Sequence, residues 1–254
     1  MSQSSSRAPE PAGPLKRNFI RYTVRLLANL YLRVRREEWH NIPAATPYLL
    51  CFNHPNWVDP FLLVAFWPKK HRFMIFGPKE EDMKVGWRNR LIGWGRLAVP
   101  FKPSKSDLID TTKRAMAVVN AGHVLGIAGE GRLSDREGQV APLQDGAAFF
   151  ALRAKMAIVP VGITGTRWLR FRKTVTLRVG KTIELRGRRP TRAGVLSLTE
   201  ELTAEMNSLI AGATDGPPPG PFARWLTDAF NERPWLLEEA RPEATPVDRP
   251  PANG

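Results

Sequence analysis

Short apolar runs alternate with helical patterns through the middle of this 254-residue chain, and that alternation limits the fold more than any other feature. Tyr48–Phe52, Arg72–Phe76, Leu97–Phe101, His123–Ala128, Ala157–Thr164 and Thr174–Val179 read as strands. Helical patterns fall among them at Pro60–Trp67, Asp107–Ala121 and Gln144–Met156. In the second of these, Leu108, Thr112, Ala115 and Val119 share one face, and Gly122 supplies a stop. The pattern predicts an α/β fold, a mixed, largely parallel sheet flanked by helices. In such sheets ligands collect beyond the carboxyl ends of strands. Two loops leave strands at such ends, one after Phe52 and one after Ala128.

Before the alternation starts, Phe19–Val34 reads as a helix. Arg17, Arg21, Arg25, Asn29 and Arg33 recur every four residues, and Ile20, Val24, Leu27, Tyr31 and Val34 cover much of the rest. This predicts an N-terminal amphipathic membrane-interface helix over 15–38, its guanidinium groups reaching phosphates while the apolar face sinks. The same pattern also suits a helix packed on its own domain. After the alternation, Ser197–Glu200 has capping-box spacing before Leu202, Met206 and Leu209. Phe222, Trp225, Leu226, Ala229 and Phe230 then form a short amphipathic helix, read as docking on the domain. The chain divides into a disordered tail at 1–14, the interfacial helix, a main domain at 39–212, a Pro-rich linker and short helix at 213–237, and a second disordered tail at 238–254.

Composition narrows the partners. The formal net charge is +14, which favours an anionic membrane surface, phosphorylated molecules or nucleic acid. Cys51 is the only cysteine, so no intrachain disulfide and no cysteine metal cluster forms, as in a reducing compartment. The first fourteen residues lack the apolar stretch of a secretory signal. No run approaches the roughly 20 apolar residues of a membrane span. The four histidines have no ligand spacing, so no metal is expected.

Two segments could carry chemistry. His54 and Asp59 lie five residues apart in Asn53-His54-Pro55-Asn56-Trp57-Val58-Asp59. A loop can fold an imidazole back onto such a carboxylate, whereas a helix puts positions five apart on different faces. With Asp59 on one ring nitrogen, the other is left as a base. Asp59 before Pro60 also suits a plain helix cap, and both readings stand on spacing alone. The second segment is Gly129-Glu130-Gly131-Arg132-Leu133-Ser134. Its glycines permit close backbone approach, and Arg132 offers a planar fork for phosphate. The alternative is a glycine turn with a surface ion pair. Lys102, at the end of a third strand-like run, is either a further phosphate ligand or a solvated lysine.

In order and spacing, these segments resemble the lysophosphatidate and glycerol-phosphate acyltransferase family, typified by bacterial 1-acylglycerol-3-phosphate acyltransferase. Four blocks over roughly residues 40–190 carry the resemblance. Asn53-His54 with Asp59 matches NHxxxxD, and Val99–Lys102 falls at the second block. Gly129–Ser134 resembles PEGTRS, and Ile158–Val161 matches the final apolar-proline block, with Gly146-Ala147 before it. Three positions depart from the pattern: Gly129 replaces the proline, the threonine before Arg132 is absent, and Lys102 replaces an arginine. The resemblance implies that His54 is a general base oriented by Asp59, and that Lys102, Glu130, Gly131 and Arg132 bind the acceptor's phosphate. It further implies no cofactor, acyl-CoA or acyl-carrier protein as co-substrate, and a lysophospholipid acceptor, first 1-acylglycerol-3-phosphate and otherwise another lysolipid or a glycolipid. The expected location is the cytoplasmic face of the cell membrane, peripheral or monotopic. A non-enzymatic basic module for anionic membrane or nucleic acid is the competing reading.

Overall fold

A computed structural model of the protein describes residues 10–101 and 108–231. Lys102 and most of the two expected tails lie outside these residues. Seven strands form one sheet: β1 (Arg33–Glu37), β2 (Leu49–Phe52), β3 (Phe73–Lys79), β4 (Ala98–Phe101), β5 (Val124–Ala128), β6 (Ile158–Thr164) and β7 (Thr174–Val179). Their order is β1-β7-β6-β2-β5-β3-β4. Pairing is parallel throughout except between β6 and β7. The expected mixed, largely parallel sheet is present.

Helices cover both faces. On one side lie α1 (Pro14–Tyr31), α2 (Asp59–Phe66), α3 (Gly86–Gly95) and α7 (Pro221–Asn231). On the other lie α4 (Leu108–Asn120), α5 (Gly146–Ala154) and α6 (Arg192–Ile210). Central strand β2 shows why its sequence is apolar without alternation. Leu50 and Phe52 enter the core under the first set, and Leu49 and Cys51 enter the core under the second. A strand buried on both faces has no polar side to display.

Four elements differ from the sequence reading. The N-terminal helix starts at Pro14, which suits a first turn, and stops at Tyr31 instead of running past Val34. Residues 33–37 extend and pair in parallel with β7, from Arg33 opposite Thr174 to Glu37 opposite Arg178. An edge strand of Arg-Val-Arg-Arg-Glu is charged, as edges often are, so apolar alternation gives no warning of it. Helix α6 begins at Arg192, with the Thr191 hydroxyl accepting from Gly194 N–H at 3.1 Å. The capping-box spacing at Ser197 therefore falls inside a helix. Helix α3 was not anticipated.

The arginines of α1 follow the second of the two readings, a helix packed on its own domain. Arg21 donates to the carbonyls of Val64 and Trp67, both at 2.6 Å, and so satisfies the carboxyl end of α2. Arg25 stacks over Phe66 at 5.0 Å. Burial accordingly lowers the Arg21 pKa, with Arg25 and Arg17 adding to the shift. Arg21 and Arg25 face the domain together with Ile20, Val24 and Ala28. Leu15, Phe19, Tyr22, Leu26, Leu27 and Leu30 are exposed on the outside. No helix among the described residues is long and apolar enough to cross a membrane.

Candidate active site

Adjacent strands β5, β2 and β6 end at the same edge of the sheet, and the loops leaving β2 and β5 meet there. The β2 loop is anchored first through Asn53. Its side chain donates to the Ile163 carbonyl at 2.9 Å and accepts from the Ile163 N–H at 2.7 Å. This extends the ladder toward β6 by one pair and fixes where the next residue begins.

That residue is His54. Its Nδ1 lies 3.1 Å from Asp59 Oδ2, and both side chains are buried. The same Asp59 oxygen accepts from the Asn56 N–H at 2.8 Å, and Asn56 Oδ1 accepts from the Val58 N–H at 2.9 Å. Asp59 opens α2 but gives no capping bond to the helix. The cap alternative is thereby removed, because the carboxylate is turned back onto the loop and its histidine. Burial pushes the Asp59 carboxyl above its ordinary value. Hydrogen bonding and charge from His54, the Thr166 hydroxyl and the Asn56 N–H pull it part of the way back. With Nδ1–H donating to Asp59, Nε2 keeps its lone pair and is the atom that can take a proton.

Glu130 turns toward the β2 loop. It is buried, and its two oxygens are occupied by protein donors. Oε2 accepts from the His54 N–H at 3.0 Å and from the Ser134 hydroxyl at 2.5 Å, and Oε1 accepts from the Ala141 N–H at 2.7 Å. Ser134 N–H in turn donates to the His54 carbonyl at 2.8 Å. Glu130 thus joins the two loops around His54. Gly131 turns the chain at φ 66° and gives its N–H to Ala128 O at 3.1 Å. Arg132 points outward and forms a bidentate pair with Asp135 at 2.6 and 2.7 Å. The pair is more than half exposed on each side.

Glycine at 129, where the family pattern has proline, has a steric cause. A Cβ there would meet Cys51 Sγ at 2.8 Å and Leu143 Cδ2 at 2.9 Å. The Gly129 N–H also donates to Phe52 O at 2.9 Å, a bond proline cannot make. Cys51 itself is inert: burial, aided by the charge of Glu130, raises its thiol pKa to about 12.

Several residues around His54 escaped the sequence reading. Trp57 lies edge-on to the imidazole at 4.8 Å, and the Arg88 guanidinium covers Trp57 at 4.0 Å. The spacing of Trp87, Leu91 and Trp94 held a helical signal for α3, but Gly86, Gly93 and Gly95 mask it. Glu137, also buried, accepts from the N–H groups of Gly165 and Arg167 and holds the β6–β7 loop. Burial raises its pKa, and the nearby Asp59 charge adds to the rise. No group of three or more His, Cys, Asp or Glu among the described residues is placed to hold a metal.

A family model described as Acyltransferase matches residues 33–164, more than half of the chain. The chain belongs to this acyltransferase family. It is similar to two curated plant proteins. One is the chloroplastic 1-acyl-sn-glycerol-3-phosphate acyltransferase LPAT1 of Arabidopsis thaliana, at 24% identity over 159 residues, 60% of this chain and 43% of that protein. The other is the chloroplastic 1-acyl-sn-glycerol-3-phosphate acyltransferase BAT2 of Brassica napus, at 24% identity over 157 residues, 59% of this chain and 44% of that protein. The chain thus spans under half the length of these relatives. Its fold is shared with the 1-acyl-sn-glycerophosphate acyltransferase PlsC from Thermotoga maritima, with a TM-score of 0.57 at 18% identity. That match covers 76% of this chain and 79% of the other. In this acyltransferase family member the matched region runs from β1 through β6, so it contains both loops of the candidate site.

Proposed function

We propose that the protein transfers a fatty acyl group from a thioester, acyl-CoA or acyl-carrier protein, to the hydroxyl of a lysophospholipid. The preferred acceptor is 1-acylglycerol-3-phosphate, giving phosphatidic acid, as the names of the curated relatives suggest. The observation that carries the reading is the buried 3.1 Å contact between His54 Nδ1 and Asp59 Oδ2. His54 Nε2 takes the proton of the acceptor hydroxyl as its oxygen attacks the thioester carbonyl. Asp59 holds the tautomer and stabilises the imidazolium that forms. When the tetrahedral intermediate collapses, the ester C–O bond is kept, the C–S bond breaks, and the imidazolium proton balances the departing thiolate. No acyl-enzyme and no cofactor enter this scheme. Arg132 binds the acceptor phosphate by exchanging Asp135 for it, and Lys102 is assigned to the same anion. Glu130 acts indirectly, by fixing the backbone of His54.

The reading also places the protein peripherally on an anionic membrane. The outward apolar row of α1 supports this, because an uncovered stripe of six large side chains marks an interaction surface. Purified protein, acyl-CoA and a mixture of lysolipids, followed by mass spectrometry, tests the reaction. The expected result is one acylated lipid class and free CoA in equal amounts. Free CoA without a lipid product would replace transfer with hydrolysis, and no consumption at all would favour a binding module.

A further inference from the structure

The apolar outer surface does not end with α1. At its carboxyl end Tyr31 lies 6.3 Å from Phe222 of α7, and Phe171 approaches Tyr31 from the β6–β7 loop at 5.7 Å. Phe222 is 62% exposed and Trp225 is 53% exposed, with their rings 5.7 Å apart. Together with Pro219, Pro221 and Arg224 they line an open groove of about 640 Å³. Spacing of three residues keeps the two rings on one face, while Leu226 and Phe230 turn inward onto the core. Exposed Arg172 and Arg224 border the patch.

The opposite end of α7 is tied to the candidate reaction centre. Asn231 Oδ1 accepts from the Trp57 N–H at 3.1 Å, Arg88 donates to the Phe230 carbonyl at 2.8 Å, and the Trp87 indole donates to the Ala229 carbonyl at 3.2 Å. Trp57 is the residue that lies against His54. One short helix therefore reaches from an uncovered aromatic patch to the loop that holds the base.

We propose that α7 is a second membrane-contact element, seating its Phe222–Trp225 edge in the headgroup region of an anionic phospholipid bilayer beside the outer row of α1. The inference rests on the membrane-surface reading given above and extends it to a helix expected to dock only on the domain. A bilayer fits this patch for three reasons. The patch continues the α1 row through Tyr31. Tryptophan and phenylalanine at the edge of an apolar surface suit the boundary between headgroups and acyl chains. The flanking arginines meet lipid phosphates while the rings enter. Contact at this position also sets the height of the Trp57–His54 loop above the lipid, where a membrane-embedded acceptor must present its hydroxyl.

The test is flotation of the full chain with vesicles of phosphatidylglycerol and phosphatidylethanolamine. Wild type is compared with Phe222→Ser/Trp225→Ser and, separately, with Leu26→Ser/Leu30→Ser on α1. All four side chains are exposed, so each variant should retain the wild-type melting profile. The α7 variant is expected to lose about tenfold in vesicle partition, and the α1 variant at least as much. Wild-type partition by the α7 variant with loss in the α1 variant would overturn the role of α7 alone. Wild-type partition by both would remove the membrane reading itself. A wild-type dimer that the α7 substitutions dissociate would assign the patch to a second copy of the chain and overturn the proposal.

Discussion

The loops leaving β2 and β5 meet at one edge of the sheet but treat their polar groups in opposite ways. Asn53, His54, Asn56 and Asp59 are all buried, and each side chain makes a hydrogen bond within the protein. The β5 loop is divided: Glu130 turns inward to join that cluster, and Arg132 turns out to hold Asp135 at the surface. Under the proposed mechanism the difference separates two tasks. Proton transfer at a defined atom needs groups locked by packing and several bonds. Binding a diffusing anion suits an exposed, solvent-screened ion pair that can change partners.

The largest effect expected of this division comes from His54→Ala. Its kcat should fall by about 10²- to 10⁴-fold, with a cooperative melt still present. Wild-type turnover in a folded variant would break the assignment of catalysis to the buried loop. Asp59→Asn should cost about 10²-fold in kcat while changing stability in the opposite direction. Burial holds the folded carboxyl above its ordinary value of 3.8. Such a group contributes stability while protonated and loses it as pH rises through the folded value. Asparagine escapes that loss, so the melting temperature of the variant should exceed that of wild type by a margin that grows from acid to neutral pH. Melting curves at several pH values check the sign, and a margin that shrinks would show the carboxylate to be favoured in the fold.

Smaller effects test the β5 loop. Gly129→Ala should destabilise by about 1–3 kcal/mol through the clash with Cys51 and Leu143. Adding Cys51→Ala should restore part of this in chemical denaturation. Arg132→Ala should raise KM for a phosphorylated acceptor severalfold and leave kcat and the donor KM unchanged. Its stability should stay within about 0.5 kcal/mol of wild type. Equal effects on donor and acceptor would remove the phosphate from Arg132.

The sequence carried the sheet strands that are buried, because burial leaves runs such as Leu49–Phe52 without polar residues. It did not carry β1, whose charged edge position requires no apolar face, nor the end of α1, where helix gives way to a ladder partner 141 residues distant. Spacing alone left Asp59 open between a partner for His54 and a helix cap, and the resemblance carried by the four ordered blocks favoured the pair. Glu130 was legible as important, but the direction of its side chain depends on Ala141 and Ser134, which only the folded β5 loop brings near His54. The inward turn of Arg21 and Arg25 was likewise hidden. A helix with arginines on one side and leucines on another has the same sequence pattern whichever side meets the domain, and the open carbonyls at the end of α2 decide it.

A double-mutant cycle tests the central claim most directly: that His54 and Asp59 work as one unit. Turnover would be compared among wild type, His54→Ala, Asp59→Asn and the double variant. If Asp59 acts only through the imidazole, the double variant is no slower than His54→Ala alone. A further loss equal to that of Asp59→Asn in the wild-type background would contradict it.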